Sequence, residues 1–311
     1  MSRPLKETLP YLMVAAAAVL WGGIGVIINA LDQIGFSSLQ IVALRAVSAT
    51  LMLLGYLLVK EPGLLKIEIA DIKYFIGTGV LSIAFFNWCY FTAIKQISLS
   101  VAVILLYTGP AFVVLMSRIF FGEPFTKSKM AALVLTLLGC AMVVELIPIQ
   151  VDAVSWYGIL AGLGSGFGYA LYSIFGKIAQ RKYSTLTILF YTFLMASLAI
   201  VPFSGLFNAG SIPMLYQEDA ILWTLSLGFF PTVLAYLLYT EGLSKIEAGR
   251  ASITALLEPV AATLLGVLLF NEWLSIVQVA GIVLVVMSVM LIQLQHPFAR
   301  FISQFKGKLQ R

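Results

Sequence analysis

Residues 90–124 read YFTAIKQISLSVAVILLYTGPAFVVLMSRIFFGEP, and residues 239–273 read YTEGLSKIEAGRASITALLEPVAATLLGVLLFNEW; the second stretch matches the first without a gap at a constant offset. Tyr90, Ile97, Ala102, Ile104, Pro110, Leu115, Phe121 and Glu123 recur as Tyr239, Ile246, Ala251, Ile253, Pro259, Leu264, Phe270 and Glu272. Beyond them Ala131, Val134 and Leu135 recur as Ala280, Val283 and Leu284. Each copy closes a unit of five apolar segments. An odd number of crossings delivers the chain to the opposite face, so the second copy must run upside down, the construction used by secondary transporters.

Composition names the solvent. With 61% hydrophobic and 11% charged residues, the chain lies far from the roughly 25% charge of a soluble domain. Windows long enough to cross roughly 30 Å of hydrocarbon fall at about 9–31, 38–59, 74–94, 98–119 and 129–147, then at 155–178, 185–207, 221–243, 249–270 and 275–294. The expected fold class is therefore an all-α integral membrane protein of ten transmembrane helices. Its first five-helix repeat covers residues 1–148 and its second 149–295, with a basic amphipathic tail at 296–311. The first window follows Arg3 and Lys6 as a signal peptide would, but it is as long as a full span and lacks a convincing cleavage site, so it reads as a retained helix.

Cytoplasmic loops collect lysine and arginine. With the N-terminus inside, all of the 19 basic residues except Arg45 and Lys95 fall on the cytoplasmic side. Arg118, Lys127 and Lys129 occupy the fourth-to-fifth connection, whereas the equivalent connection around Asn271 and Glu272 carries none. Equivalent loops thus face opposite sides, and both termini are expected in the cytoplasm. The tail from His296 places Phe298, Phe301, Ile302, Phe305 and Leu309 at helical spacing, with Arg300, Lys306, Lys308 and Arg311 off that stripe. It reads either as an interfacial helix on the inner leaflet or as a frayed basic end. Dispersed loop charges do not make a nucleic-acid surface. Cys89 and Cys140 sit inside spans and read as packing residues rather than metal ligands or a disulfide.

Few polar groups interrupt the spans. Glu258 lies near the centre of the ninth window, where a carboxylate is costly and usually functional; it is the candidate for proton coupling. Pro259 and Pro110 have no amide hydrogen for the carbonyls of Ala255 and Leu106, so both helices should break at mid-depth. Paired breaks in corresponding helices point to a transport site. Arg45, about two turns inside the second window, can bind a substrate carboxylate, pair with Glu258 or snorkel outward. Trp21, Asn87, Trp88, Tyr107, Tyr169, Tyr172, Tyr236 and Tyr239 can line an aromatic cavity or serve ordinary packing. Of these, Trp21, Asn87, Tyr107 and Tyr169 complete the expected substrate site with Arg45 and Glu258. Gly162, Gly164, Gly166 and Gly168, placed mid-membrane, read as close helix packing and not as a phosphate loop.

The start LWGGIGVIINAL at Leu20–Leu31, Arg45 in LRAVSATLMLL, and mid-helix Pro110 and Pro259 followed by Glu123 and Glu272 resemble the EamA-type transporters of the drug/metabolite transporter superfamily. The resemblance covers nearly the whole chain. It implies a central cavity formed largely by the first four helices of each half, with the fifth and tenth peripheral, and export of amino acids or related small metabolites. The expected partners are a small-molecule substrate and membrane lipid, with no nucleic acid, no cofactor and no metal, in a monomer or homodimer of the bacterial inner membrane. Catalysis is not expected, because the sole histidine, His296, lies in the tail and Ser165 has no histidine partner. A channel or a non-transporting membrane sensor of small metabolites is the alternative.

Overall fold

The computed structural model describes residues 3–146, 155–270 and 273–309, with side chains at 7–146, 155–269 and 273–293. Asn271, Glu272 and the repeat boundary expected at 148/149 lie outside the described residues, as do the side chains of the tail. Among the described residues every regular element is helical. Nine helical segments among the described residues are long and apolar enough to cross a membrane: Glu7–Ile34, Ser38–Lys60, Ile69–Gln96, Leu99–Phe121, Trp156–Ala179, Thr185–Ser204, Glu218–Lys245, Ala248–Leu269 and Ile276–Gln293. Between the fourth and fifth of these runs Lys127–Val143, an apolar helix of 17 residues, which completes the ten expected spans. The chain is an integral membrane protein, and its exposed side chains include Leu51, Leu58, Val59, Phe203 and Leu268, apolar groups suited to lipid. The backbone helix of the tenth span continues to Leu309.

Local chemistry sets the ends. Ser37 and Gln40 form a reciprocal capping box at the second span, and Ser98, Thr126, Ser155 and Ser184 each accept a backbone N–H at the start of the fourth to seventh spans. The fourth span stops at Gly122, whose φ of 69° favours a residue without Cβ.

The two halves interlock rather than sit side by side. The first span lies against the eighth and ninth, the second against the seventh and eighth, and the third and fourth against the sixth. The fifth packs on the tenth, where a Cβ on Gly139 would come within 2.8 Å of Val285 and one on Gly281 within 2.7 Å of the Gly139 carbonyl oxygen. The glycine series of the sixth span serves two neighbours at once. A Cβ on Gly162 or Gly166 would strike Leu105 or Thr108 of the fourth span, and one on Gly164 or Gly168 would strike Cys89 or Phe86 of the third. Cys89 and Cys140 are both buried free thiols, in keeping with a packing role.

Candidate functional site

Both expected helix breaks are present, at equivalent positions. The fourth span consists of Leu99–Leu106 and Gly109–Phe121, and the ninth of Ala248–Ala255 and Glu258–Phe270. The intervening residues are held by short-range bonds, Thr108 N–H to the Leu105 carbonyl and Leu257 N–H to the Thr254 carbonyl. Pro110 and Pro259 sit in the first turn of their second halves, where the missing amide hydrogen costs nothing. Glu258 therefore opens a helix in mid-membrane, in the first turn of the second half of the ninth span.

A second pair of irregularities was not visible in the sequence. The third span contains a π-helical stretch, Gly77–Ala84, and the eighth another, Phe229–Leu234, at corresponding positions; such widened turns recur at functional sites. Pro231 was the available signal, since a proline within a span disturbs the hydrogen-bond ladder.

The breaks, together with Phe86, Asn87, Leu227 and Tyr236 that flank the widened turns, border one central cavity of about 350 Å³. Trp21, Arg45, Asn87, Tyr107, Pro110, Tyr169 and Glu258 all line it; Pro259 stands behind Glu258 without lining it. Tyr90, Phe86 and Tyr236 also reach the cavity. Trp88 does not, being 59% exposed on the outer surface of the third span. Tyr172 and Tyr239 border a smaller adjoining space shared with Trp21, Tyr169 and Tyr236.

The polar groups of the cavity differ in how far they are engaged. Arg45 donates through Nε to the Thr232 hydroxyl at 3.0 Å and through Nη2 to the Pro231 carbonyl at 3.4 Å, and its guanidinium lies 5.6 Å from the Tyr236 ring centre. These partners are neutral. Among the described residues no ion pair joins Arg45 to Glu258, and none engages Glu258 at all. Asn87 donates to the Ile83 carbonyl at 2.8 Å, leaving its amide oxygen as an acceptor. Trp21 packs edge-on to Tyr236 at 5.2 Å, and its buried indole N–H has no acceptor among the described residues.

The cavity extends from Glu258 at mid-depth past Ile28 and Ile41 to the exposed Ser38, on the face opposite the basic loops. Towards the basic face it is shut by contacts within the second half and between the halves. Tyr172 and Thr240 share a hydrogen bond of 2.7 Å, as do Ser173 and Tyr239. Below them Glu123, 7% exposed, accepts from the backbone N–H groups of Ala248 at 2.7 Å and Gly249 at 3.2 Å, at the start of the ninth span. Lys177 approaches Glu123 at 3.3 Å and Lys129 at 3.6 Å, while Lys129 also meets Glu247 at 2.6 Å. Burial alone would raise the Glu247 carboxyl, but the Lys129 hydrogen bond and the Arg250 charge outweigh it and hold Glu247 below its ordinary range. Glu123 enters the sequence reading only as a repeat marker, because its main partners are backbone amides of a distant segment.

A family model described as the EamA-like transporter family matches residues 8–145 and again 156–294. The chain belongs to the EamA-like transporter family. Two curated relatives place this EamA chain among named transporters. An "Uncharacterized transporter" of Archaeoglobus fulgidus is 28% identical over 272 residues, covering 86% of this chain and 90% of the relative. The "Pseudopaline exporter CntI" of Pseudomonas aeruginosa is 27% identical over 249 residues, covering 80% and 84%. A solved crystal structure at 18% identity superposes with a TM-score of 0.77 over 92% of this EamA chain and 96% of its own, which establishes the shared fold. This EamA chain thus carries its family domain twice, as two inverted five-helix repeats around the cavity.

Proposed function

We propose that this EamA protein is a secondary exporter of amino acids or related zwitterionic metabolites, working by alternating access in a bacterial inner membrane with both termini in the cytoplasm. One observation carries the substrate class: Arg45 and Glu258 face the same cavity without pairing to each other. A charge without a counter-charge in a partly enclosed cavity within the membrane is costly, and a zwitterion relieves both at once. Its carboxylate meets Arg45 through charge-assisted bonds, its amine meets Glu258, and its side chain rests among Trp21, Asn87, Tyr107 and Tyr169. Access from one face and closure at the other support a carrier over a channel, which needs a path open at both ends. The name of the Pseudomonas aeruginosa relative supports export as the direction, and the basic loops support placing the closed face in the cytoplasm. Glu258 also serves as the proton-coupling group, since an unpaired carboxyl at mid-membrane can trade its proton for the cargo's charge.

Thermal-shift titrations of the purified protein with free amino acids, their carboxamides, their decarboxylated amines and their N-acylated acids test the substrate class. Free acids should stabilise most, Arg45→Gln should remove the advantage of the free carboxylate, and Glu258→Gln should remove the requirement for a free amine. Amides that bind as well as acids would overturn the assignment. In proteoliposomes Glu258→Gln should abolish pH-dependent counterflow; flux that keeps its pH dependence excludes Glu258 as the proton site.

A further inference from the structure

We infer that Thr232 is the positioning residue that aims Arg45 into the cavity and thereby sets the preference for a free carboxylate. The inference rests on the proposed carboxylate–Arg45 contact and goes beyond it, because Thr232 lies outside the cavity lining and touches no cargo.

Pro231 leaves a gap in the hydrogen-bond ladder of the eighth span. In a regular helix the N–H of residue 231 would donate to the Leu227 carbonyl, and proline has none to give. The widened turn puts the Thr232 hydroxyl in that place, donating to the Leu227 carbonyl at 2.7 Å. Thr232 is fully buried, so no water competes for that proton. A hydroxyl carries one proton; once it is committed, the oxygen can only accept. Arg45 Nε donates to that oxygen at 3.0 Å, and Nη2 reaches the Pro231 carbonyl beside it. The guanidinium is planar, so fixing its Nε–Nη2 edge fixes the direction of the whole group. The edge is held by neutral oxygens, which orient the cation without cancelling its charge. Arg45 lines the cavity, so that uncancelled charge is what an anion there would meet.

The helices that carry these residues are brought together by Gly228, three residues before Pro231. A Cβ there would overlap the Ser48 side chain and come within 3.3 Å of the Ala49 backbone nitrogen. The equivalent seam between the third and seventh spans repeats the approach without the chemistry. A Cβ on Gly79 would come within 3.0 Å of the Ala196 backbone nitrogen, and Ser37 and Ser184 cap the second and seventh spans alike. On this alignment Arg45 corresponds to Thr192 and Thr232 to Ile83. Thr192 instead bonds Thr78 at 2.6 Å. The arginine and its threonine occur together at one of the two equivalent seams between the halves, the second span against the eighth, and are both replaced at the other, the seventh span against the third, as expected of a working pair rather than of scaffold shared by both seams.

The test compares Thr232→Val and Thr232→Ala, which remove the hydroxyl, with Thr232→Ser, which keeps it, alongside Arg45→Gln. The probes are L-phenylalanine, L-leucine and L-serine, each paired with its carboxamide, and the readout is the ratio of apparent affinities for acid and amide. Loss of an aimed, charge-assisted bond should reduce the acid preference by about tenfold in Thr232→Val and Thr232→Ala, while Thr232→Ser stays within about twofold of wild type because it keeps the same hydroxyl. A folded hydroxyl-free variant that keeps the wild-type ratio while Arg45→Gln loses it overturns the positioning role and leaves the substrate assignment standing. If Arg45→Gln keeps the ratio, or the wild type shows no acid preference, the substrate assignment fails and the positioning role with it.

Discussion

Substituting Glu123 by glutamine removes one negative charge from a site where the carboxylate accepts two backbone N–H groups and faces Lys177 and Lys129. Hydrogen bonds to a charged group contribute about 1.5–3 kcal/mol each, so the two amide bonds together contribute roughly 3–6 kcal/mol. Glutamine retains one neutral acceptor, which restores about 1 kcal/mol, and Lys129, 2% exposed, keeps Glu247 as its counter-ion. The net loss is roughly 3 kcal/mol, and at about 1.4 kcal/mol per factor of ten the equilibrium for opening the basic face should shift by roughly a hundredfold. Hydrogen exchange read by mass spectrometry on purified protein checks this directly: peptides containing the Ala248 and Gly249 amides should exchange faster by that factor, while the capped start of the second span stays unchanged. Glu61→Gln, at an exposed position on the same face, is the control. Unchanged exchange at Ala248 and Gly249 in a folded Glu123→Gln protein would refute the view that this carboxylate holds the two halves shut.

Three further outcomes are expected. Gly166→Ala forces a methyl to within 2.7 Å of Thr108 Oγ1 and 2.8 Å of the Leu105 carbonyl oxygen, so it should lower stability by about 1–3 kcal/mol; Gly176→Ala in the same helix, with neighbours no nearer than 4.0 Å, should be close to neutral in the same melting assay. In a background lacking Cys89 and Cys140, single cysteines at Lys127 and Asn271 should label from opposite faces of the membrane, and labelling of both from one side contradicts the inverted topology. The Glu247 carboxyl is held below its ordinary range, so its contribution is present above the unfolded glutamate value of about 4.3 and is lost only as the pH falls below it. The opening equilibrium at the basic face, read as exchange divided by the intrinsic amide rate at each pH, should therefore be flat near neutrality and rise on acidification, and Glu247→Gln should remove that rise.

What the sequence disclosed follows from which signals survive transfer into lipid. Ten apolar runs, the repeat and the two prolines are one-dimensional features, and Pro110 and Pro259 break their helices at the expected depth. The lateral direction of a side chain is harder to read, because a spanning helix is apolar on its lipid face and on its packing face alike. Trp88 looked as eligible as Asn87, one residue away, yet a step of about 100° round the helix turns it from cavity to lipid. The fifth span was expected from residue 129 to 147, but its helix runs from Lys127 to Val143, since Thr126 caps it earlier than the hydropathy begins. The widened turn of the eighth span is not legible because it depends on where the Thr232 hydroxyl finds a carbonyl, a relation that Pro231 hints at without fixing.

The closure at Glu123 has a consequence for how this family evolves. The groups that its carboxylate grips most closely are the N–H groups of Ala248 and Gly249, which every amino acid except proline supplies. No side chain at positions 248 or 249 needs to change when residue 123 changes, so a covariation search across relatives would record Glu123 as a residue with weak or missing partners. Couplings would gather instead on Lys177 and Lys129, the peripheral members of the cluster. Contact maps built from such couplings would place the joint between the two halves one layer away from the atoms that hold it.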